Sequence, residues 1–437
     1  MCIYEYNLPS RIGQSVIVLP LCFFLSEYDS LRRIIIRRNN NILIWLLVVG
    51  VIYVIYSIII SPHLRENYMH LVYPIRHIIG RYLLPFVALV CIQRTKHITI
   101  IFNISFYAII IMTLFGIVNL FFHHSHYVDW LYEGRVVVDY LEEAGAKFEE
   151  AKRFRVQATF HNPFDYGYTC IVGMLLFWFG YLKKYVSKEK FIIITVCALF
   201  GVLSCNCRTV FFSFILALMC FSFICYDFSS YLTHIFGAVI VGALAIIFVP
   251  YLNEKFMLML TMFDRTATIS GSSIDMRIGQ LVVVLNSINN RELFGCGVGF
   301  FAIDLGWHQG KYNLKGTDFF GLEGSYLQTL LETGVIGTIF YFSIIGIVLY
   351  WAWMKRRTYR LEASFLFSLF FLFFVFGAMT GELRTAYLTF LLSGIPFKFI
   401  LSQETHNKST QAILKQSRIS RIIQIGWRIK NRQRFNS

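Results

Sequence analysis

Runs of about 20 apolar residues recur along nearly the whole of this chain, and that length is what a helix needs to cross a bilayer. Ile42–Ile60, Ile98–Phe122, Phe164–Leu182 and Gly334–Trp353 meet the requirement clearly. Shorter runs at Ile12–Leu25, Ile78–Ile92, Phe191–Ser204, Val210–Tyr226, Ile235–Val249, Ala363–Met379 and Ala386–Ile400 bring the expected spans to about eleven. Of 437 residues, 57% are hydrophobic and 15% charged, so lipid rather than water is the solvent that shaped the chain. The expected fold class is all-α, a polytopic transmembrane helix bundle. One membrane domain covers 1–401 and a basic tail 402–437. No fixed-period repeat is visible, which counts against transporters built from inverted repeats.

The net charge of +15 raises the question of nucleic acid, and its placement answers no. Lys and Arg gather in short clusters between spans: 32–38, 94–96, 183–190 and 355–360, then the tail. If the eleven segments alternate, all five groups fall on one side, which the positive-inside rule makes cytoplasmic. The C-terminus is then cytoplasmic, and two long loops, 123–161 and 250–323, face outward. The basic tail fits a contact with anionic membrane lipids. Met1–Arg11 lacks the charged start and small-residue cleavage pattern of a secretory leader. The ten cysteines are scattered through apolar segments and read as small core residues. Cys205-Asn-Cys207 is too tightly spaced for a usual zinc site and lacks further ligands, so no metal is expected.

The outer loops carry structure of their own. The acids of Tyr127–Arg155 suit a solvated helix over the membrane face, with Glu149 and Arg153 at an i, i+4 spacing. Ser272-Ser-Ile-Asp275 reads as a capping box opening a surface helix over Met276–Ile288, which puts Arg277 in its first turn. Gly295, Gly297 and Gly299 then allow a tight turn or a close backbone approach. They follow a helix rather than a strand, and no Walker lysine accompanies them, so no nucleotide cofactor is indicated.

Cations and a carboxylate at a membrane surface are what transfer from a pyrophosphate-linked substrate requires. Arginine binds phosphate oxygens bidentately and stays charged at any relevant pH. Arg155, Arg208, Arg265, Arg277, Arg291 and Arg384 lie on the expected outer face. An interfacial arginine often only snorkels, but Arg265 and Arg277 sit in a loop with no span to snorkel from. Glu323, just ahead of the span that begins near Tyr326, is the leading general base. Its plainer reading is a carboxylate favoured by the dipole of the following helix. Asp318, Asp304 and His308 stand behind it as bases.

Four stretches carry a resemblance. Arg155-Val-Gln-Ala-Thr-Phe-His-Asn162-Pro163 is similar to the Arg-x-x-Gly-Thr-Phe-x-Asn-Pro stretch of the O-antigen polymerase and ligase superfamily. Ser204-Cys-Asn-Cys-Arg208-Thr resembles its Ser-x-Arg stretch. Arg277 with Leu293-Phe-Gly-Cys-Gly-Val-Gly-Phe300 resembles its arginine followed by a glycine-rich run. Ser325-Tyr-Leu-Gln and Glu332-Thr-Gly-Val-Ile-Gly337 resemble its Ser-Tyr-Leu-Gln and Glu-x-Gly-x-x-Gly pieces. They occur in the family's order over 155–353. Ala158 replaces the usual glycine, which is expected only to stiffen that turn. Glu323 stands where ligases usually show His, which fits the polymerase branch.

The resemblance implies a metal-independent, inverting membrane glycosyltransferase of GT-C-type architecture, with no cofactor. Glu323 and Arg277 would be catalytic; Arg155, Arg208, Arg265, Asn162 and Tyr326 would bind pyrophosphate or glycan. The implied substrate is a polyprenyl-pyrophosphate-linked glycan, and a chain-length regulator protein is a further implied partner. The first expectation is a polymerase of repeat units. A ligase handing the glycan to lipid A core and a flippase of lipid-linked oligosaccharides are the alternatives. Charges gathered in outer loops, rather than within spans, favour the enzymes over the flippase.

Overall fold

The computed structural model describes residues 41–62, 84–89, 91–92, 95–123, 155–160, 162–233, 235–237, 240, 253, 274–300, 305, 324–380 and 384–404. Among them every regular element is helical. In chain order these are α1 (Asn41–Ile60), α2 (Thr95–Phe122), α3 (Pro163–Leu182), α4 (Lys188–Ser204) and α5 (Arg208–Cys225). There follow α6 (Ile274–Ser287), α7 (Ser325–Lys355), α8 (Arg360–Met379), a 3-10 turn at Arg384–Ala386, and α9 over 387–404. Eight of the expected segments are thus helical, as α1–α5 and α7–α9. The segment expected at 78–92 is helical over 84–89, whereas those at 12–25 and 235–249 lie wholly or largely outside the described residues, as do the Tyr127–Glu150 acids and residues 405–437 of the tail.

Among the described residues, five helices are long and apolar enough to cross a membrane: α1, α2, α5, α7 and α8. The chain is therefore an integral membrane protein. In α3 the opening Pro-Phe-Asp-Tyr dilutes the hydropathy, and α4 has only 17 residues. Both are held by protein as much as by lipid. Much of α3 is buried, including Tyr166, Tyr168, Leu175, Phe177 and Phe179. It packs against α2, α4, α5 and α8, while α8 also lies along α5 and α7, and α7 along α1. Small residues bring these helices close, since lipid offers no hydrophobic drive to press them together. Gly167 faces Val210 and Gly201 faces Cys170, each with no room for a side chain.

The bundle has two chemically different ends. At one, Lys183 pairs with the buried Glu362, Lys355 with Glu404, and Arg360 with Asp227 at 2.7 Å. Arg356 stacks on the Trp353 ring at 3.3 Å, the pairing expected of an interfacial anchor. The basic clusters at 183–190 and 355–360 therefore share one end, as the alternation of spans requires. Arg155, Asn162 and Arg208 sit at the other, where α3 and α5 begin and α4 and α8 finish.

Candidate functional site

At the Asn162 end, three segments are tied by backbone chemistry. Asn162 caps α3, its Oδ1 accepting from the N–H of Phe164 at 2.6 Å and of Asp165 at 3.2 Å, with Pro163 in the first turn where its missing donor costs nothing. The Val156 N–H donates to the Ser204 carbonyl, which seats the Arg155 segment against the turn leading to Arg208. In that turn Asn206 holds φ +53°, a conformation asparagine tolerates. The buried thiols of Cys205 and Cys207 donate to the carbonyls of Val202 and Cys205, and burial pushes the Cys205 thiol up. That pair serves as a turn.

Asp165, one turn into α3, is a residue the sequence reading passed over. It is 2% exposed, and its Oδ1 accepts from both the N–H and the hydroxyl of Thr385, at 3.0 and 2.6 Å. The 3-10 turn that begins at Arg384 is thereby pinned to the start of α3. A carboxylate in the first turn of a helix reads as a dipole partner; its true partner lies 220 residues away. From there the chain of contacts reaches α7, because the Ser325 N–H donates to the Thr380 carbonyl and its hydroxyl to that of Gly377.

Ala158 corrects an expectation. It holds φ +49° while fully buried, and its carbonyl accepts from the Asn119 side chain at 3.1 Å. Left-handed backbone costs an alanine roughly 1–2 kcal/mol that glycine would not incur. The replacement strains this turn rather than merely stiffening it.

The second cluster is built on a break in α7. Gly334 has φ +62°, ψ −166° inside an otherwise helical run, so the amides of Val335 and Ile336 lose the carbonyls of Leu331 and Glu332. The glycine-rich loop replaces every lost bond. The carbonyls of Glu292 and Leu293 accept from Val335 and Ile336, at 2.8 and 3.2 Å. The amides of Cys296 and Gly297 donate to Leu331 and Glu332, at 2.8 and 2.9 Å. Such complete pairing is what lets a helix break persist in a membrane protein, where an orphaned backbone group is costly. Tyr56 of α1 closes the next rung: its hydroxyl donates to the Thr333 carbonyl at 2.7 Å and accepts from the Gly337 amide. The Glu332 carboxylate turns back to accept from the Gly299 N–H at 3.2 Å.

These contacts explain why Gly295, Gly297, Gly334 and Gly337 occur together. All but Gly337 have positive φ, and each meets other atoms where a Cβ would sit. The turn before them is held by Asn290 at φ +67° and by the Glu292 carboxylate, which backbone N–H groups, its own and that of Asn290, keep below the usual range. The apolar run expected from Gly334 thus begins at the break, while α7 itself starts at Ser325, beside the Tyr326 start expected after Glu323.

Arg277 stands in the first turn of α6, as expected, and α6 packs on α7 through Val284, Ile288 and Leu331. Of its exposed residues Ile278, Leu281, Val282 and Leu285 are large and apolar, beside Gly279 and Asn286, a more apolar face than a helix lying in water usually carries. Tyr326, in the first turn of α7, donates its hydroxyl to the Phe374 carbonyl and packs its ring against Tyr341, Phe342 and Phe374. Arg265 and Glu323, with Asp304, His308 and Asp318, lie outside the described residues.

Two of the four resembling stretches, around Arg155 and Arg208, therefore meet at the start of α3, and the other two meet at the α7 break. The structure joins them through α7 itself, whose first residue is bonded to the end of α8 and whose break lies about 13 Å further along at 1.5 Å per residue. No curated protein matches the chain. Residues 193–342, which include Arg208, Arg277 and the break in α7, match the family described as O-antigen ligase, and this supports the resemblance of the chain to the O-antigen polymerase and ligase superfamily.

Proposed function

We propose that this chain is a polymerase that moves a growing polyprenyl-pyrophosphate-linked glycan onto the sugar of a new repeat unit, at the outer face of a bacterial cytoplasmic membrane. The family match carries the reading. It implies a lipid-linked glycan substrate and a glycosyl-transferring enzyme in a membrane, and gives no support to a flippase. Within the matched residues fall Arg208, Arg265, Arg277, Glu323 and Tyr326.

In the reaction we infer, the acceptor hydroxyl oxygen attacks the anomeric carbon. The bond from that carbon to the pyrophosphate oxygen breaks, and the leaving group departs with its electron pair. Glu323 takes the hydroxyl proton. Arg277 meets the charge growing on the pyrophosphate, the type of contact that contributes most when it is preorganised. Arg155, Arg208 and Arg265 supply further positive charge, while Asn162 and Tyr326 shape the glycan path. A single displacement inverts the anomeric centre and needs neither metal nor cofactor, because the pyrophosphate bond already stores the energy. The full architecture is an eleven-span GT-C-type bundle with loops 123–161 and 250–323 outside and the C-terminus in the cytoplasm. A chain-length regulator protein acts beside it.

The description of the matching family favours a second reading, a ligase that delivers the glycan to lipid A core. A deletion strain separates the two. Loss of a polymerase leaves single repeat units on the surface anchor, because the ligase still works. Loss of a ligase leaves the anchor bare and polymer accumulated on polyprenyl pyrophosphate. Unchanged surface glycan would refute both.

A further inference from the structure

Among the described residues of the second outer-loop region, six large apolar side chains are exposed. Four belong to α6: Ile278, Leu281, Val282 and Leu285. Leu293 and Phe294 at the tip of the docked turn complete the set. Ile278 and Phe294 are each 53% exposed. Their neighbours Val284 and Ile288 are buried against α7, so the helix has one face to protein and another that is exposed and largely apolar. At 14 residues α6 is about 21 Å long, too short to cross a bilayer.

The depth of this patch can be read from α7. Lys355 and Arg356, with Trp353, mark one membrane boundary. Gly334 lies 21 residues before Lys355, or about 31 Å along the helix, which matches the roughly 30 Å hydrocarbon core. The turn carrying Leu293 and Phe294 is hydrogen-bonded to that break, so it stands at the opposite boundary. The exposed apolar surface continues onto spanning helices at the same level, through Val335 of α7 and Ile59 of α1.

We propose that α6 and the Leu293-Phe294 tip lie in the headgroup–acyl boundary of the bilayer, a monotopic element attached to a spanning bundle. The occupant of the patch is lipid. The backbone of Arg277, in the first turn of α6, then stands near the depth of lipid phosphates. A pyrophosphate-linked lipid would reach it sideways from the membrane. The placement of α6 stands whether or not the chain transfers glycans.

The test is a depth measurement on the full chain in lipid nanodiscs. A nitroxide is coupled to p-acetylphenylalanine, which avoids the native cysteines, at Leu281, Leu285 or Phe294. Ile104, exposed in mid-α2, is the lipid reference and Asn290 the aqueous one. Relaxation by oxygen should exceed that by a water-soluble nickel chelate at all three sites, with values between those of the references. Values equal to Asn290 overturn the proposal. Labels shielded from both reagents also overturn it, because a second copy or another protein would then cover the patch. On the unmodified protein, a diazirine carried in lipid headgroup-proximal acyl positions should label the 278–294 peptide. Absence of that label, with α2 labelled, is equally decisive against it.

Discussion

Gly295 and Gly334 cross so closely that a Cβ on the first would lie 2.5 Å from the nitrogen of the second, and a Cβ on the second 2.6 Å from the nitrogen of the first. Both have positive φ. One crossing thus fixes where the loop enters the broken helix.

Alanine at either glycine should therefore be severe. Left-handed backbone costs about 1–2 kcal/mol and overpacking against backbone a further 1–3 kcal/mol, so Gly334→Ala should lose about 2–5 kcal/mol. Thermal unfolding in detergent checks this. A Gly334→Ala protein with the parental midpoint would mean the loop does not occupy the break.

Asp165→Ala should cost about 1–3 kcal/mol, because the Thr385 amide and hydroxyl lose a charged acceptor. Asp165→Asn keeps an acceptor at the same place and should lose less. If the turn beginning at Arg384 belongs to the site, turnover on lipid-linked repeat units should follow the same order. Equal behaviour of the two variants would leave Asp165 as filler.

For Ala158→Gly the terms nearly cancel. Relief of left-handed strain returns about 1–2 kcal/mol. Losing a buried methyl removes about 0.8 kcal/mol, and the freer unfolded chain about 0.4–1 kcal/mol. The variant should lie within about 1 kcal/mol of the parent. Ala158→Val adds bulk and β-branching to the same strain and should unfold well below both in a melting assay.

Glu323→Gln retains shape but not basicity. As the general base it should cost roughly 10²–10⁴-fold in rate; as a helix-dipole partner it would cost only about 0.3–1 kcal/mol of stability. Arg277→Lys tests fork geometry beside it, with a loss on the order of 10²–10³ expected when a bidentate contact becomes a point charge. Purified protein with lipid-linked repeat units separates these outcomes, and a parental rate for Glu323→Gln would move the search to Asp318, Asp304 or His308.

The bundle was legible because hydropathy is a local property: each run of apolar residues declares itself without reference to the others. The glycine-rich loop and the Glu332–Gly337 run were legible as pieces, since five glycines in two short stretches demand a backbone explanation. Their union was not, because nothing in either stretch encodes the hydrogen bonds of the other. Tyr56 gave no signal at all; an aromatic in an apolar helix looks like any lipid-facing or core residue. Asp165 was hidden for the opposite reason, having an adequate local role at the start of α3. Ala158 was visible as a departure, but the sign of its effect depends on a φ angle that composition does not reveal.

Tyr56 and Thr333 are separated by 277 residues. At synthesis rates of about 5–20 residues per second, roughly 15–55 s pass between their emergence from the ribosome. Throughout that interval α1 waits in the bilayer with its hydroxyl unengaged, and the loop at 291–300 has no helix break to enter. The site is consequently a late product of biogenesis. A nascent chain stopped before α7 holds Arg155, Arg208 and Arg277 but cannot form the broken helix that positions the last of them.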